Sequence, residues 1–166
     1  MPKAKTGSFF IRRKVECDGL TAKVTTLDTS VYVDPSDRQG LMIEHVDFIF
    51  YNDQTNLPLA AAADEQCAVQ MSAGAKTNLI AYDSEDLIAS AGLVVDGGAG
   101  VFNATDVYPD VLGSTDGRIV VDDQISIVGQ AGSAFNNAAC VLIIKCKVVT
   151  LTNKDYMALA LQTVAN

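Results

Sequence analysis

Tryptophan is absent from the sequence, and histidine occurs only once, at residue 45. Any Ser-His-Asp or Cys-His mechanism would have to use His45 as its base. Asp47 would share a strand face with His45, but no G-x-S-x-G nucleophile elbow accompanies the two residues. A structural histidine, or one at a subunit interface, is therefore the better interpretation, and we expect no catalytic residues.

Motifs for metals and phosphates are also missing. The four cysteines (Cys17, Cys67, Cys140, Cys146) form no C-x-x-C pair, which argues against a zinc module or a disulfide scaffold. We expect them to be small buried apolar residues in a reducing compartment. The glycine cluster at 97–100 lacks the lysine of a phosphate-binding loop. We expect no cofactor and no metal, although loop aspartates leave a Ca²⁺ site open.

No apolar run approaches the roughly 18 residues of a membrane-spanning helix. The stretch at 57–63 is short and is interrupted by Pro58. Residues 1–7 show neither a hydrophobic core nor a cleavage signature, so we expect a protein made and used without conventional secretion. Apolar residues still make up 49% of the chain, enough for a substantial core.

Positive charge is concentrated at the start of the chain. The first 14 residues hold five basic side chains and no acid: Lys3, Lys5, Arg12, Arg13 and Lys14. Without those five, 7 basic and 20 acidic residues remain, so the rest of the chain carries a charge of −13. An acidic body repels nucleic acid and anionic membranes. A basic arm on such a body suits docking onto an acidic neighbouring copy, or a local contact with lipid or genome.

β-branched residues and turn signals dominate what is present. They predict strands at 8–16, 20–33, 40–51, 118–121, 124–129 and 138–151. In the middle of the chain, strands are predicted at 66–72 and 77–82, and one or two helical turns at 84–91. The one clear helix is 153–164, with Thr152 as its cap and Asp155 completing a capping-box-like pair. Strands without alternating long helices predict an all-β sandwich.

Three parts of the chain can be distinguished on this basis. Residues 1–19 form a basic N-terminal arm and first edge strand, residues 20–151 the β-sandwich, and residues 152–166 the C-terminal helix. The length fits one domain, and no internal repeat is present.

Two stretches carry a resemblance to a known family. The first is VDPSDRQGL at 33–41 running into IEHVDFIF at 43–50, and the second is the 138–151 strand followed by LTNKDYMALALQ at 151–162. Together they resemble small major capsid proteins of tailless icosahedral viruses of archaea and bacteria, and they cover about a third of the chain. The family has no catalytic residues to carry over.

The resemblance implies a single eight-stranded jelly roll standing upright in the shell, in pentamers, hexamers or pseudo-hexamers. It implies a virion protein made in the host cytoplasm, whose partners are other copies of itself and no small-molecule substrate. It leaves open a second coat protein, and an internal membrane or genome contact through the basic N-terminus.

The leading hypothesis is therefore a self-assembling capsid subunit. We expect two groups of residues at the subunit interface, one in the arm (Phe9, Phe10, Arg12, Arg13) and one in the helix (Tyr156, Leu159, Leu161). Packing within the chain is the alternative for both groups. A second hypothesis is an extracellular filament subunit in which 8–16 completes a neighbour's sheet. A third is a carbohydrate-binding sandwich, which the lack of tryptophan disfavours.

Overall fold

A computed structural model of the chain describes residues 2–59, 64–96, 101–108, 117–132 and 135–164, with the backbone alone at 96, 101–108 and 162–164. One helix and ten strands lie in these ranges. The strands are β1 (Lys3–Ala4), β2 (Phe9–Glu16), β3 (Lys23–Asp28), β4 (Gln39–Asn52), β5 (Glu65–Ala73), β6 (Leu87–Asp96), β7 (Val101–Tyr108), β8 (Arg118–Val120), β9 (Gln124–Ala131) and β10 (Ala138–Thr150), and the helix is α1 (Asn153–Val164).

The strands form two antiparallel sheets. In the first sheet the order is β2-β10-β4-β8, and β1 pairs with the far end of β10 on the same edge as β2. In the second sheet the order is β3-β9-β5-β6-β7. The register between β10 and β4 shifts between Lys145 and Cys146, where a β-bulge bends β4.

The strand order defines the fold. Setting aside β1 and β7, the eight remaining strands pair first with last (β2 with β10), second with seventh (β3 with β9), third with sixth (β4 with β8) and fourth with fifth (β5 with β6). A strand ladder rolled up in this way is a jelly roll. The chain is therefore an all-β, single jelly-roll sandwich with a short C-terminal helix, as the sequence predicted.

The core lies between the two sheets. Strand alternation turns one set of side chains inward from each sheet, among them Ile11 and Val15 of β2, Leu142 and Ile144 of β10, and Ile127 of β9. All of these are less than a tenth exposed. All four cysteines are free and buried in the same core, as predicted for small apolar residues.

Most predicted elements are confirmed within a residue or two, and α1 has the predicted bounds. The 20–33 strand is shorter than predicted, because Thr29 leaves the sheet and bonds the backbone of the loop before β9. The predicted helical turns at 84–91 are wrong. Only Ser84–Asp86 forms a turn, and from Leu87 the chain pairs with β5 as β6.

The predicted strand at 77–82 is also wrong, and its place is taken by an irregular segment over the outer face of the second sheet. Gln70 of β5 anchors it: the Gln70 Nε2 donates to the Ile80 carbonyl at 3.0 Å, and the Ile80 N–H donates to the Gln70 Oε1 at 2.7 Å. Lys76 reinforces it through a backbone bond to Ser126 and an ion pair of 2.6 Å with Asp86. A side chain therefore supplies the pairing that a neighbouring strand would give.

Replacing Gln70 tests this anchor. Because Gln70 is 2% exposed, Gln70→Ala should leave the Ile80 N–H and carbonyl without partners and lower the free energy of unfolding by about 2 kcal/mol. Urea unfolding followed by circular dichroism measures the loss. Gln54→Ala, at an exposed turn position, is the control and should change stability little. A loss no larger than that of the control would contradict the anchoring role.

Candidate assembly surface

His45 does not form a catalytic centre with its neighbours. Its Nε2 lies 2.8 Å from the Asp47 Oδ1, on the outer face of the first sheet, and both side chains are more than half exposed. The two residues share a strand face, as the sequence predicted, and they are in contact. The cysteine thiols, which are the strongest nucleophiles in the chain, lie on the other side of the sheet in the core.

Three of these thiols, Cys17, Cys140 and Cys146, are also made less reactive by a raised pKa, whereas the hydrogen bond with Cys17 lowers the pKa of Cys67. Burial raises the pKa of Cys140 to about 12 and that of Cys146 to about 11. The pKa of Cys17 is raised as well, first by a hydrogen bond with Cys67 and then by burial. Since the thiolate is the nucleophilic form, buried protonated thiols such as these three are structural.

The loop carboxylates act as turn residues where they are described. The Asp34 Oδ1 accepts bonds from the Ser36 N–H and hydroxyl, and Asp28 does the same with Ser30. These bonds stabilise the ionised forms and lower the pKa of both aspartates. Across the described ranges, no group of three or more His, Cys, Asp or Glu side chains could hold a metal ion. The side chains of Asp106, Asp110 and Asp116 lie outside these ranges.

Three basic side chains of β2 and one aromatic side chain are exposed along the edge of the first sheet, and we call this edge the basic corner: Phe10, Arg12, Arg13 and Lys14. β2 is the edge of the first sheet and lies beside β3, the edge of the second, where the Thr25 hydroxyl donates to the Lys14 carbonyl. Lys14 is paired with Asp53. Within the described part of the chain, Arg12 and Arg13 form no ion pair with any carboxylate.

Acidic residues gather at one end of the sandwich. The loops β3–β4, β5–β6 and β8–β9 meet there, joined by backbone bonds from Thr29 to Asp123 and from Gly74 to Gln124. Eight carboxylates lie in or next to these loops: Asp28, Asp34, Asp37, Asp83, Glu85, Asp86, Asp122 and Asp123. This acidic end and the basic corner give the subunit surfaces of opposite charge.

α1 lies on the outer face of the first sheet. The Thr152 Oγ1 accepts the Asp155 N–H at 3.2 Å and donates to its carboxylate at 2.8 Å, which confirms the predicted cap. Tyr156 and Leu159 pack on a small cluster formed by Met42, Val149 and Leu151. Met157 and Leu161 face solvent instead.

The expected interface residues therefore divide into two groups. Phe9 points inward and its ring packs against Tyr32, with centroids 5.4 Å apart, while Tyr156 and Leu159 contact their own sheet. Phe10, Arg12, Arg13 and Leu161 are exposed.

Glu44 connects three strands of the first sheet, and the sequence did not predict this role. It sits next to the β-bulge, where its carboxylate accepts the Ser8 hydroxyl at 2.7 Å and pairs with Lys147 at 2.9 Å and Lys145 at 3.6 Å. It thereby ties the start of β2 to β4 and β10. The lysines at 145 and 147 were a usable signal, since two like charges on the same partly covered face of a strand favour an acid between them.

The comparisons with known proteins concern the fold alone. No family model and no curated protein matches the chain. Among solved structures, it is similar to an unassembled VP1 pentamer of Washington University polyomavirus, with 9% identity, a TM-score of 0.47, and coverage of 91% of this chain and 96% of the other. It is also similar to a structure of Desmodium yellow mottle tymovirus, with 7% identity, a TM-score of 0.38, and coverage of 92% and 91%. The fold assignment rests on the strand order above, not on these likenesses.

One open groove lies on the outer face of the second sheet, with a volume of about 350 Å³. Gln66, Tyr82, Val94 and Gln130 line it. Among the lining residues that the structure describes, Tyr82 is the only aromatic one, and its ring is a possible stacking platform.

Protonation of Glu44 should weaken the fold. Hydrogen bonds from Lys147 and Ser8 lower its folded pKa below the usual value of 4.5. The stability it contributes is therefore present above about pH 4.5 and is lost as pH falls through the folded pKa. We expect Glu44→Gln to cost about 1 kcal/mol at neutral pH, and the difference from wild type to shrink as the pH falls through the lowered pKa of Glu44.

Urea unfolding at a series of pH values checks this prediction. Glu16→Gln, at an exposed position on the end of β2, should differ little from wild type throughout. A Glu44→Gln loss that stays constant as the pH falls through the lowered pKa of Glu44 would show that charge pairing is not its cause.

Proposed function

We propose that this chain is a structural protein that self-assembles into a viral capsid shell, as a major capsid protein. The observation that carries the proposal is the separation of charge on a jelly-roll sandwich. Arg12 and Arg13 project from one edge without ion-pair partners in the described part of their own chain, while carboxylates crowd one end of the sandwich.

A contact between two different surfaces propagates. When the basic corner of one copy meets an acidic surface of the next, the interface is heterologous, and such contacts close into rings or continue into lattices. Rings of five or six copies are the units that a jelly-roll shell uses, so the charge pattern and the fold support the same assembly. The protein's place would then be the virion, after synthesis in the host cytoplasm.

The partners follow from this proposal. Other copies of the chain are the main partner, and a second coat protein is a further one. Lys3 is exposed on the N-terminal segment, so a local contact with an internal membrane or the genome is proposed for the same end of the chain. No helix within the described residues is long and apolar enough to cross a membrane.

The filament hypothesis loses its motivation in the structure. All eight residues of β2 pair with β10 of the same chain, and Ile11 and Val15 are buried in its own core. A strand held in this way is not free to complete a neighbour's sheet. The carbohydrate-binding hypothesis has one observation in its favour, Tyr82 in the open groove of the second sheet.

Electron microscopy and light scattering of the purified protein at low and high salt test the proposed function. Closed shells, flat lattices or rings of five or six copies would support it. Helical fibres would support the filament hypothesis instead. A 17.6 kDa monomer at high concentration and low salt would contradict the proposed function, and glycan binding by that monomer would favour the carbohydrate hypothesis.

Reversing the charge of the basic corner should prevent assembly. Arg12→Glu/Arg13→Glu places like charges against the acidic neighbour, and we expect at least a tenfold loss of assembled particles at low salt, on the order of the cost of like-charge contacts at an interface. Arg12→Lys/Arg13→Lys keeps the charge and should still assemble. Both arginine side chains are exposed, so neither double substitution should lower the free energy of unfolding appreciably. Normal assembly of the glutamate variant would remove the basic corner from the interface.

A further inference from the structure

The outer face of the first sheet is covered by α1 at one end and is open at the other. At one end, α1 covers the outward side chains Met42 and Val149 together with Ile119 of β8. At the other end, the outward residues of β2, β10 and β4 lie open. We call this open part the recess, and it comprises Phe10, Val141, Ile143, Asp47 and Ile49.

The four apolar side chains of the recess lie on a diagonal across three neighbouring strands, with charged side chains on both sides of it. In the strand register, Ile143 lies between Arg12 and Asp47, and Val141 lies between Lys14 and Ile49. Phe10 is 65% exposed and Ile49 is 48% exposed, with Val141 and Ile143 half-buried between them. Exposed apolar residues are ordinary singly, but a strip across three neighbouring strands marks an interaction surface.

α1 carries a second apolar strip on its outer side. Tyr156 and Leu159 hold the helix on the sheet, while Met157 and Leu161, four residues apart on one face, are 58% and 62% exposed. A helix that only covered its own sheet would need no apolar side chains on its outer side.

The dimensions of the two strips match. α1 has 12 residues and is therefore about 18 Å long and about 10 Å across. The recess is three strands wide, about 14 Å, and runs from Ala139 to Lys145, about 20 Å. The strands β2, β10, β4 and β8 have 8, 13, 14 and 3 residues, so the whole face has a footprint of about 600 Å², at the lower end of the area that each partner buries in a stable complex.

We propose that this face binds a second copy of the chain across a two-fold axis, with α1 of each copy lying in the recess of the other. The inference rests on the proposed function, because it names one contact by which copies meet. A two-fold arrangement buries both apolar strips at once, since each copy has one recess and one ridge, the ridge being Met157 and Leu161 on the outer side of α1. Arg12 and Lys14 of β2 and His45 of β4 then lie at the polar edges of the recess.

This contact should differ from the basic corner in its response to salt. Apolar burial is little affected by ionic strength, whereas contacts between exposed charges are screened. At high salt, where shells come apart, we expect the chain to remain a dimer. Sedimentation equilibrium of the wild-type chain at high salt measures this directly.

Two variants test the proposed surfaces. Met157→Lys/Leu161→Lys changes the ridge, and Ile49→Lys changes the recess, about 23 Å away along β4 from the helix-covered Met42. Both should weaken the dimer about 100-fold, because each removes the apolar centre of the same contact. Tyr82→Lys/Val94→Lys, on the outer face of the second sheet, is the matched control and should leave the dimer intact. Circular dichroism verifies that every variant is folded.

The outcomes separate this inference from the proposed function. A wild-type dimer that both test variants dissociate, with the control unchanged, supports the inference even if no shells form at low salt. Shells at low salt from a chain that is monomeric at high salt, or a dimer that Ile49→Lys leaves unchanged, would overturn the inference and leave the proposed function standing.

Discussion

The pairing of β10 holds the molecule together. This strand lies inside the first sheet, with β1 and β2 on one edge and β4 on the other. Its inward side chains, Cys140, Leu142, Ile144 and Cys146, are fully buried in the core. Truncating a single buried Leu or Ile of this kind costs about 2–5 kcal/mol, a large part of the stability of a domain this size. α1 follows β10 directly, so the position of the helix depends on the same pairing.

The two outer faces of the sandwich are covered in different ways. The second sheet is covered in part by a segment of its own chain, which Gln70 and Lys76 fasten with paired hydrogen bonds and an ion pair. The first sheet is covered over half its length by α1, and the other half is left open with apolar side chains. The chain thus closes one face with polar contacts and leaves on the other an uncovered apolar surface.

Strong local patterns allowed much of this fold to be predicted. The long strand at 138–151 has an apolar inward face, and Thr152 and Asp155 are recognisable as the N-terminal cap of the helix that follows it. Both elements were therefore predicted with nearly correct bounds. The misassigned stretch at 84–91 has a possible N-cap at Ser84 and a glycine at 92, which suit a helix, and residues 87–91 of β6 are buried on both faces, which removes the alternation that identifies a strand. Pairing with β5, a tertiary contact, makes this stretch a strand.

The candidate surface was predictable in part and for the same reason. The run of arginines in β2 is visible in the sequence, and alternation on a strand separates Phe10 from the inward Phe9. Which helix side faces the sheet is not visible locally, because Tyr156, Met157, Leu159 and Leu161 surround much of α1. The recess is assembled from three strands that are distant in sequence and become neighbours only through the jelly-roll order.

Pairing the first long strand with the last has a consequence for how the protein is made. Until residues 138–150 have been synthesised, β2 and β4 lack the strand that lies between them, so a growing chain has no first sheet, no recess and no docked helix. Contacts this distant in sequence also make folding slow relative to helical proteins of the same size. Under the proposed assembly, newly made chains on neighbouring ribosomes would therefore not pair through these surfaces until each chain is complete.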